Sequence, residues 1–326
     1  MDLSFFLAHL EKTSRSFYLG IRQLEGQIQL RICLAYLLCR ILDTFEDATL
    51  LDPKIRLKQL EWVEGLLKNL AEGQDDILQS SLKDWNSNLQ LKDEGFWEPY
   101  SEIAPYDLDL LKNGAAVFSG INQLPTDFQI NFGRSLLPMA QGMKREIAER
   151  QIEKELKPRS IQDFKKYCYW VAGTVGEFLT NDFYLEGAFG PAFNLEAGLQ
   201  QGRQFGEALQ IVNITKDFYK DWSEGRCFWP ETALPRDNQS PAPEGVELVE
   251  TFSKLQNLFE SNLPAAQAFI GQLRPQAGRI RFFCQFPLKM AQATMNLGKK
   301  DEGWLARKSD FKLSRLETAR IVASCL

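Results

Sequence analysis

The sequence predicts an all-α protein, on three observations. Apolar residues recur every three or four positions through nearly the whole chain, strict two-residue alternation is almost absent, and Gly- and Pro-containing punctuation separates segments of helical length. With 326 residues, 44% of them hydrophobic and 25% charged, the chain can build one large core or two smaller ones.

Each element follows from the local pattern. Leu3–Lys12 is an amphipathic opener carrying the single histidine, His9, which LSFFLAHL places on the helix surface. In Thr13–Leu24 the apolar pattern is interrupted by Ser14, Arg15 and Ser16. A long helix spans roughly Gly26–Thr49, too apolar between Ile28 and Leu42 to stand alone in water. Pro53 opens the next, over Lys54–Leu70, as proline does at a first helical position, and its Leu, Trp and Val spacing gives one buried face.

Gln74–Leu91 is the weakest of the helical segments. Asp107–Phe118 and Phe128–Leu156 follow, with Pro138 predicting a kink or break in the latter. The tail REIAERQIEKELK reads as a solvated charge run. Ser160 caps Ile161–Glu186, which contains Gly173 and Gly176; each costs about 1 kcal/mol relative to alanine in a helix interior. They serve close helix packing, a backbone bared to a ligand, or both. A Gly/Pro/Phe loop over Gly187–Asn194 leads to the helix Leu195–Trp222, and a Pro-rich loop reaches about Glu244. Val246–Leu273, Ile280–Leu297 and Arg307–Leu326 complete the chain.

Composition excludes several function classes. A formal net charge of −5 and a pI near 5.3 argue against a nucleic-acid binder, which needs a basic face. One histidine is too few for a His-rich zinc site or a His₂-carboxylate iron site. Six scattered cysteines, Cys33, Cys39, Cys168, Cys227, Cys284 and Cys325, form no CxxC pair and read as reduced core residues. No basic region precedes the short apolar run Leu3–Ala8, as a signal peptide would require. No run of about 18 apolar residues suggests a membrane span, so a cytoplasmic location is expected.

The chemistry-bearing stretch is YLLCRILDTFED, Tyr36–Asp47. Tyr36, Arg40, Asp43 and Asp47 are spaced four, three and four apart and share one helical face. One acidic stripe alone would suit a solvated helix end, but a second occurs in QIVNITKDFYKD, where Gln210, Asn213, Asp217 and Asp221 lie three, four and four apart. Two such stripes facing one space would gather four aspartates, whose repulsion calls for a divalent cation. Mg²⁺ suits oxygen ligands completed by water and a substrate's phosphates, so a diphosphate is the natural ligand.

Six blocks carry a family resemblance: SRSF at Ser14–Phe17, RILDTFED at Arg40–Asp47, YCYWVAGTVG at Tyr167–Gly176, QIVNITKDFYKD at Gln210–Asp221, GRCFWP at Gly225–Pro230 and FCQFPLKMA at Phe283–Ala291. In order and rough spacing they resemble the squalene/phytoene synthase family, with VAGTVG and the tryptophan of GRCFWP closer to its squalene-forming members. The resemblance spans most of the chain and implies a single catalytic domain over residues 1–326, an isoprenoid synthase fold with helices around a central cavity.

By that resemblance, two farnesyl diphosphates condense head to head through presqualene diphosphate. Asp43, Asp47, Asp217 and Asp221, with Glu46 in support, would hold Mg²⁺ or Mn²⁺. Ser14, Arg15, Ser16, Phe17, Arg40, Val171, Gln210, Asn213, Lys216 and Arg226 would bind substrate. Tyr36, Phe17, Phe45, Tyr167 and Phe283 are candidates for an aromatic wall beside a carbocation. Tyr167 lies near the proton that is lost; a phenol of ordinary pKa about 10 is a poor base, so a positioning role comes first and the released diphosphate is an equal contender.

Reduction to squalene would use NADPH, for which no G-x-G-x-x-G follows a strand; the resemblance points to Lys312 and Arg315 in KLSR. The chain departs from the family pattern at Lys220, where glutamate is usual, and at Lys216, where arginine is common. An ammonium there lowers the negative charge offered to the metal or touches phosphate itself. A peripheral membrane contact for release of an oily product is expected. The alternatives are a non-reductive dehydrosqualene or phytoene synthase, and a catalytically inactive helical binding module.

Overall fold

The structure, a computed structural model, describes residues 2–48, 51–74, 80–83, 85, 103–152, 160–223, 227–230, 246–300 and 311–325, excepting the side chains of residues 15, 16, 150–152, 246 and 247. These residues are all-α: the described part contains no strand, and its one extended pairing is an isolated bridge between Phe189 and Leu273. The chain divides into two compact units, residues 1–152 with Asn181–Gly187, and the remainder.

The first unit holds α1 (Leu3–Thr13), α2 (Arg15–Gln23), α3 (Gly26–Asp47), α4 (Pro53–Glu72), α5 (Pro105–Lys112), α6 (Gly114–Asn122) and α7 (Thr126–Ile152). Helix starts are set by local chemistry. Asp2 and Ser14 accept backbone N–H bonds as N-caps of α1 and α2, and Asp52 caps α4 with Pro53 at its first position. Gly73 ends α4 in a left-handed conformation, φ 69°.

The apolar faces of α4 and α7 pack along their length. Glu64 on α4 lies in that seam: burial pushes its carboxyl up, but bonds from Lys144, Lys68 and Gln141 outweigh this and hold it down at about 2. Arg31 on α3, 2% exposed, donates to both oxygens of Asp182 at 2.8 and 3.2 Å and to Glu186 at 2.5 Å. Its guanidinium also covers the Phe128 ring at 3.9 Å, so this buried cation is fully answered.

The second unit holds α8 (Ile161–Cys168), a π-helical turn (Tyr169–Gly173), α9 (Thr174–Leu185, of which 174–180 belong here), α10 (Leu195–Lys216), α11 (Phe218–Ser223), α12 (Val246–Gly271), α13 (Gly278–Lys300) and α14 (Arg315–Ala323). Its core gathers Phe164, Tyr167, Ile211, Ile214, Phe218, Trp229 and Phe259. Close packing explains Gly176: a Cβ there would run into the backbone carbonyl of Gly202 on α10.

Five expectations change. Pro138 does not break α7, which stays helical from Thr126 to Ile152; packing against α4 over many turns outweighs one missing backbone bond. Asp107–Phe118 is two helices, parted at Asn113. The helix expected over Leu195–Trp222 is interrupted at Asp217, whose φ −95° and ψ 11° leave the helical region. The charge run is not wholly solvated, since Glu146 and Ile147 are buried, and its part beyond Ile152 lies outside the described residues. His9 is buried at 6% exposure, its ring edge-on to Phe5 and its Nδ1 3.7 Å from Asp109, and burial lowers its pKa.

Candidate active site

The first acidic stripe is the accessible edge of a buried helix. From Leu30 to Ala48, the residues not buried are Tyr36, Cys39, Arg40, Asp43 and Asp47. The apolar majority of α3 is consumed by packing, so the helix turns one polar line out of the core.

The residues on that line are held from several sides. Tyr36 donates its hydroxyl to the Thr13 carbonyl at 3.3 Å, and its ring lies 5.7 Å from that of Phe17. The SRSF segment therefore meets the stripe at its start, where Ser14 caps α2 by accepting from the Phe17 N–H at 3.1 Å. Burial raises the Tyr36 phenol to about 12, so it keeps its proton near neutral pH. Arg40 gives Nε and Nη2 to the two oxygens of Asp107, at 2.8 and 2.7 Å. Burial raises Asp43 to about 7; Arg40 opposes the rise, and Asp47 and Asp107 add to it. Glu46 is buried, and Arg56 donates to its backbone carbonyl and to that of Phe45.

The second stripe has the same character. Between Ile211 and Trp222 the residues not buried are Asn213, Lys216, Asp217, Lys220 and Asp221. The break at Asp217 keeps the line: the Asp217 N–H bonds to the Asn213 carbonyl, and the Asp221 N–H to the Asp217 carbonyl at 2.9 Å. Asn213 also donates to Gln210 at 3.4 Å. Both lysines that depart from the family pattern lie on this line, and Lys216 donates to the Asp217 carboxylate. Below it, Trp229 of GRCFWP donates its indole N–H to the Ile214 carbonyl at 3.1 Å, pinning the loop under the helix.

Tyr167 is 5% exposed and stacks on Phe228 at 4.8 Å. Val171 lies in the π-helical turn against the same core, and Phe283 is buried on α13. Phe45 is fully buried, so it packs rather than lines accessible space. Lys312 and Arg315 are exposed at the start of α14, where Ser314 and Glu317 form a reciprocal capping box. Arg226 and the side chains of Arg15 and Ser16 lie outside the described residues. Asp107 was not singled out by sequence reasoning; its one signal was an acid in the first turn of a helix that starts at Pro105.

The donor set suits a hard divalent cation. Asp43 and Asp47 are oxygen donors on successive turns of one helix. Among the described residues no three His, Cys, Asp or Glu side chains converge. For a dinucleotide the fit is one of charge alone, from Lys312 and Arg315. No described helix is long and apolar enough to cross a membrane.

The model of the squalene/phytoene synthase family matches residues 10–317. The squalene synthase of Eremothecium gossypii is 28% identical over 293 residues, 88% of this chain and 60% of that protein. The chain spans about three fifths of the length of the curated relatives it matches. TcSQS in complex with the ligand E5700 superposes with a TM-score of 0.71 at 22% identity, covering 98% of this chain and 85% of that one. A dehydrosqualene synthase in complex with ligand gives 0.58 at 17%, over 99% and 94%.

Proposed function

The chain belongs to the squalene/phytoene synthase family, and on that premise we propose that it condenses two farnesyl diphosphates head to head and reduces the product to squalene with NADPH. The observation that carries this reading is the pair of acidic stripes, each the accessible edge of a helix whose other faces are buried.

In this reading Asp43 and Asp47, and likewise Asp217 and Asp221, hold Mg²⁺ or Mn²⁺. When bound, the ion neutralises the charge that develops on a departing diphosphate. Arg40 adds a guanidinium on the same line, suited to phosphate oxygens. The apolar bulk of α3 limits water at the stripe, which strengthens each of these attractions. Tyr36 and Phe17 offer aromatic faces to a passing carbocation. Tyr167, locked against Phe228, positions rather than transfers a proton. Lys312 and Arg315 meet the phosphates of NADPH.

Product analysis tests the proposal. With farnesyl diphosphate and Mg²⁺, squalene is expected only when NADPH is added. Dehydrosqualene in both conditions would assign the chain to the non-reductive branch, and a C40 product from geranylgeranyl diphosphate to the phytoene-forming one.

A further inference from the structure

Arg40 stands one turn before Asp43 and two before Asp47 on the accessible line of α3. An arginine so placed is a natural partner for the Asp43 carboxylate, since i, i+3 neighbours on a helix are within reach. If it paired with Asp43, it would occupy oxygens that a cation needs. In the structure its Nε and Nη2 instead form a two-pronged bond with Asp107 of α5, at 2.8 and 2.7 Å, and Asp43 receives no bond from it.

The restraint is well built. Asp107 is 4% exposed, its α5 begins at Pro105, and its carboxylate sits in the first turn, where the helix dipole favours negative charge. A planar fork on a carboxylate fixes direction as well as distance. Because the bond uses Nε and Nη2, the amino group Nη1 stays outside it.

We infer that Asp107 is a positioning residue: it draws the Arg40 guanidinium sideways off α3, keeping Asp43 open to a divalent cation and leaving Nη1 for an anionic oxygen of the substrate. The inference rests on the metal reading of Asp43 and Asp47, and the test separates the two.

Mn²⁺ binding without diphosphate, followed by electron paramagnetic resonance on the full chain, reads the effect independently of turnover. Asp107→Asn releases the guanidinium toward Asp43 and is expected to weaken Mn²⁺ binding at least tenfold, with the helical circular dichroism unchanged. Adding Arg40→Gln removes the competitor, so the double variant should recover to within about threefold of Arg40→Gln alone, a rescue that a merely structural role would not give. Should Asp107→Asn fail to fold, Arg40→Lys replaces it: the charge stays, the fork is lost, and the same weakening is expected.

Wild-type affinity in Asp107→Asn, or in Arg40→Lys where that variant stands in, overturns the inference, and so does a double variant as weak as Asp107→Asn. In those cases the metal reading survives. A wild-type chain that takes up no Mn²⁺, indistinguishable from Asp43→Asn, overturns the metal reading and this inference with it.

Discussion

At the scale of single residues, the informative side chains are charged groups on the edges of buried helices. Asp43 has the charge to bind a cation, yet burial holds its carboxyl near pH 7, so a proton and a metal ion compete for it. The sign is fixed: a carboxylate raised to about 7 is protonated below that pH, and the protonated form cannot ligate. Metal affinity should therefore fall toward tenfold per unit as the pH drops below about 7. A flat affinity from pH 8 to 6, measured with Mn²⁺, would take Asp43 out of the ligand set. Asp43→Asn and Asp217→Asn should each abolish turnover while leaving the helical spectrum intact, since the role claimed is ligation rather than packing. Normal turnover in either variant would refute the assignment. Much of this was legible in the sequence, because a four-three-four spacing is a property of the helix itself. The partner of Arg40 was not: Asp107 lies 67 positions away, and no local pattern links them.

At the scale of elements, α9 and α10 meet through glycine. A Cβ on Gly176 would strike the Gly202 carbonyl, and one on Gly206 the Ala172 carbonyl, so the two backbones approach without side chains between them. Close packing, one of the readings the sequence left open, is realised at Gly176. Gly176→Ala should destabilise the chain by about 1–3 kcal/mol or more, the cost of overpacking where backbone rather than a flexible side chain must yield. Chemical denaturation reads it, and an unchanged midpoint would mean that the helices separate freely at this crossing. The π-helical turn at Tyr169–Gly173 and the interruption at Asp217 left no mark in the periodicity. One extra residue in a turn, or one residue outside helical geometry, barely disturbs a hydrophobic pattern.

At the scale of the whole molecule, ligand linkage tests the functional reading without needing turnover. A ligand that binds only the folded chain adds about 2.7 kcal/mol of stability at a hundred times its Kd. Mg²⁺ with a thio-diphosphate analogue of farnesyl diphosphate should accordingly raise the melting temperature, and Mg²⁺ alone should do so less. An unmoved melting temperature would favour a binding module that keeps the fold without the chemistry.

By itself the sequence determined the all-α class, the bounds of about half of the helices to within a few residues, the family, and the two lines of acidic side chains. These depend on spacing along one chain and on the 3.6-residue turn, which local sequence encodes. Tertiary structure alone decided which charges are held. It gave Arg40 to Asp107 and Arg31 to Asp182, buried the histidine expected on a surface, and carried α7 through Pro138. Each of those outcomes depends on residues far apart in sequence brought within a few ångströms, where burial and pairing outweigh local preference.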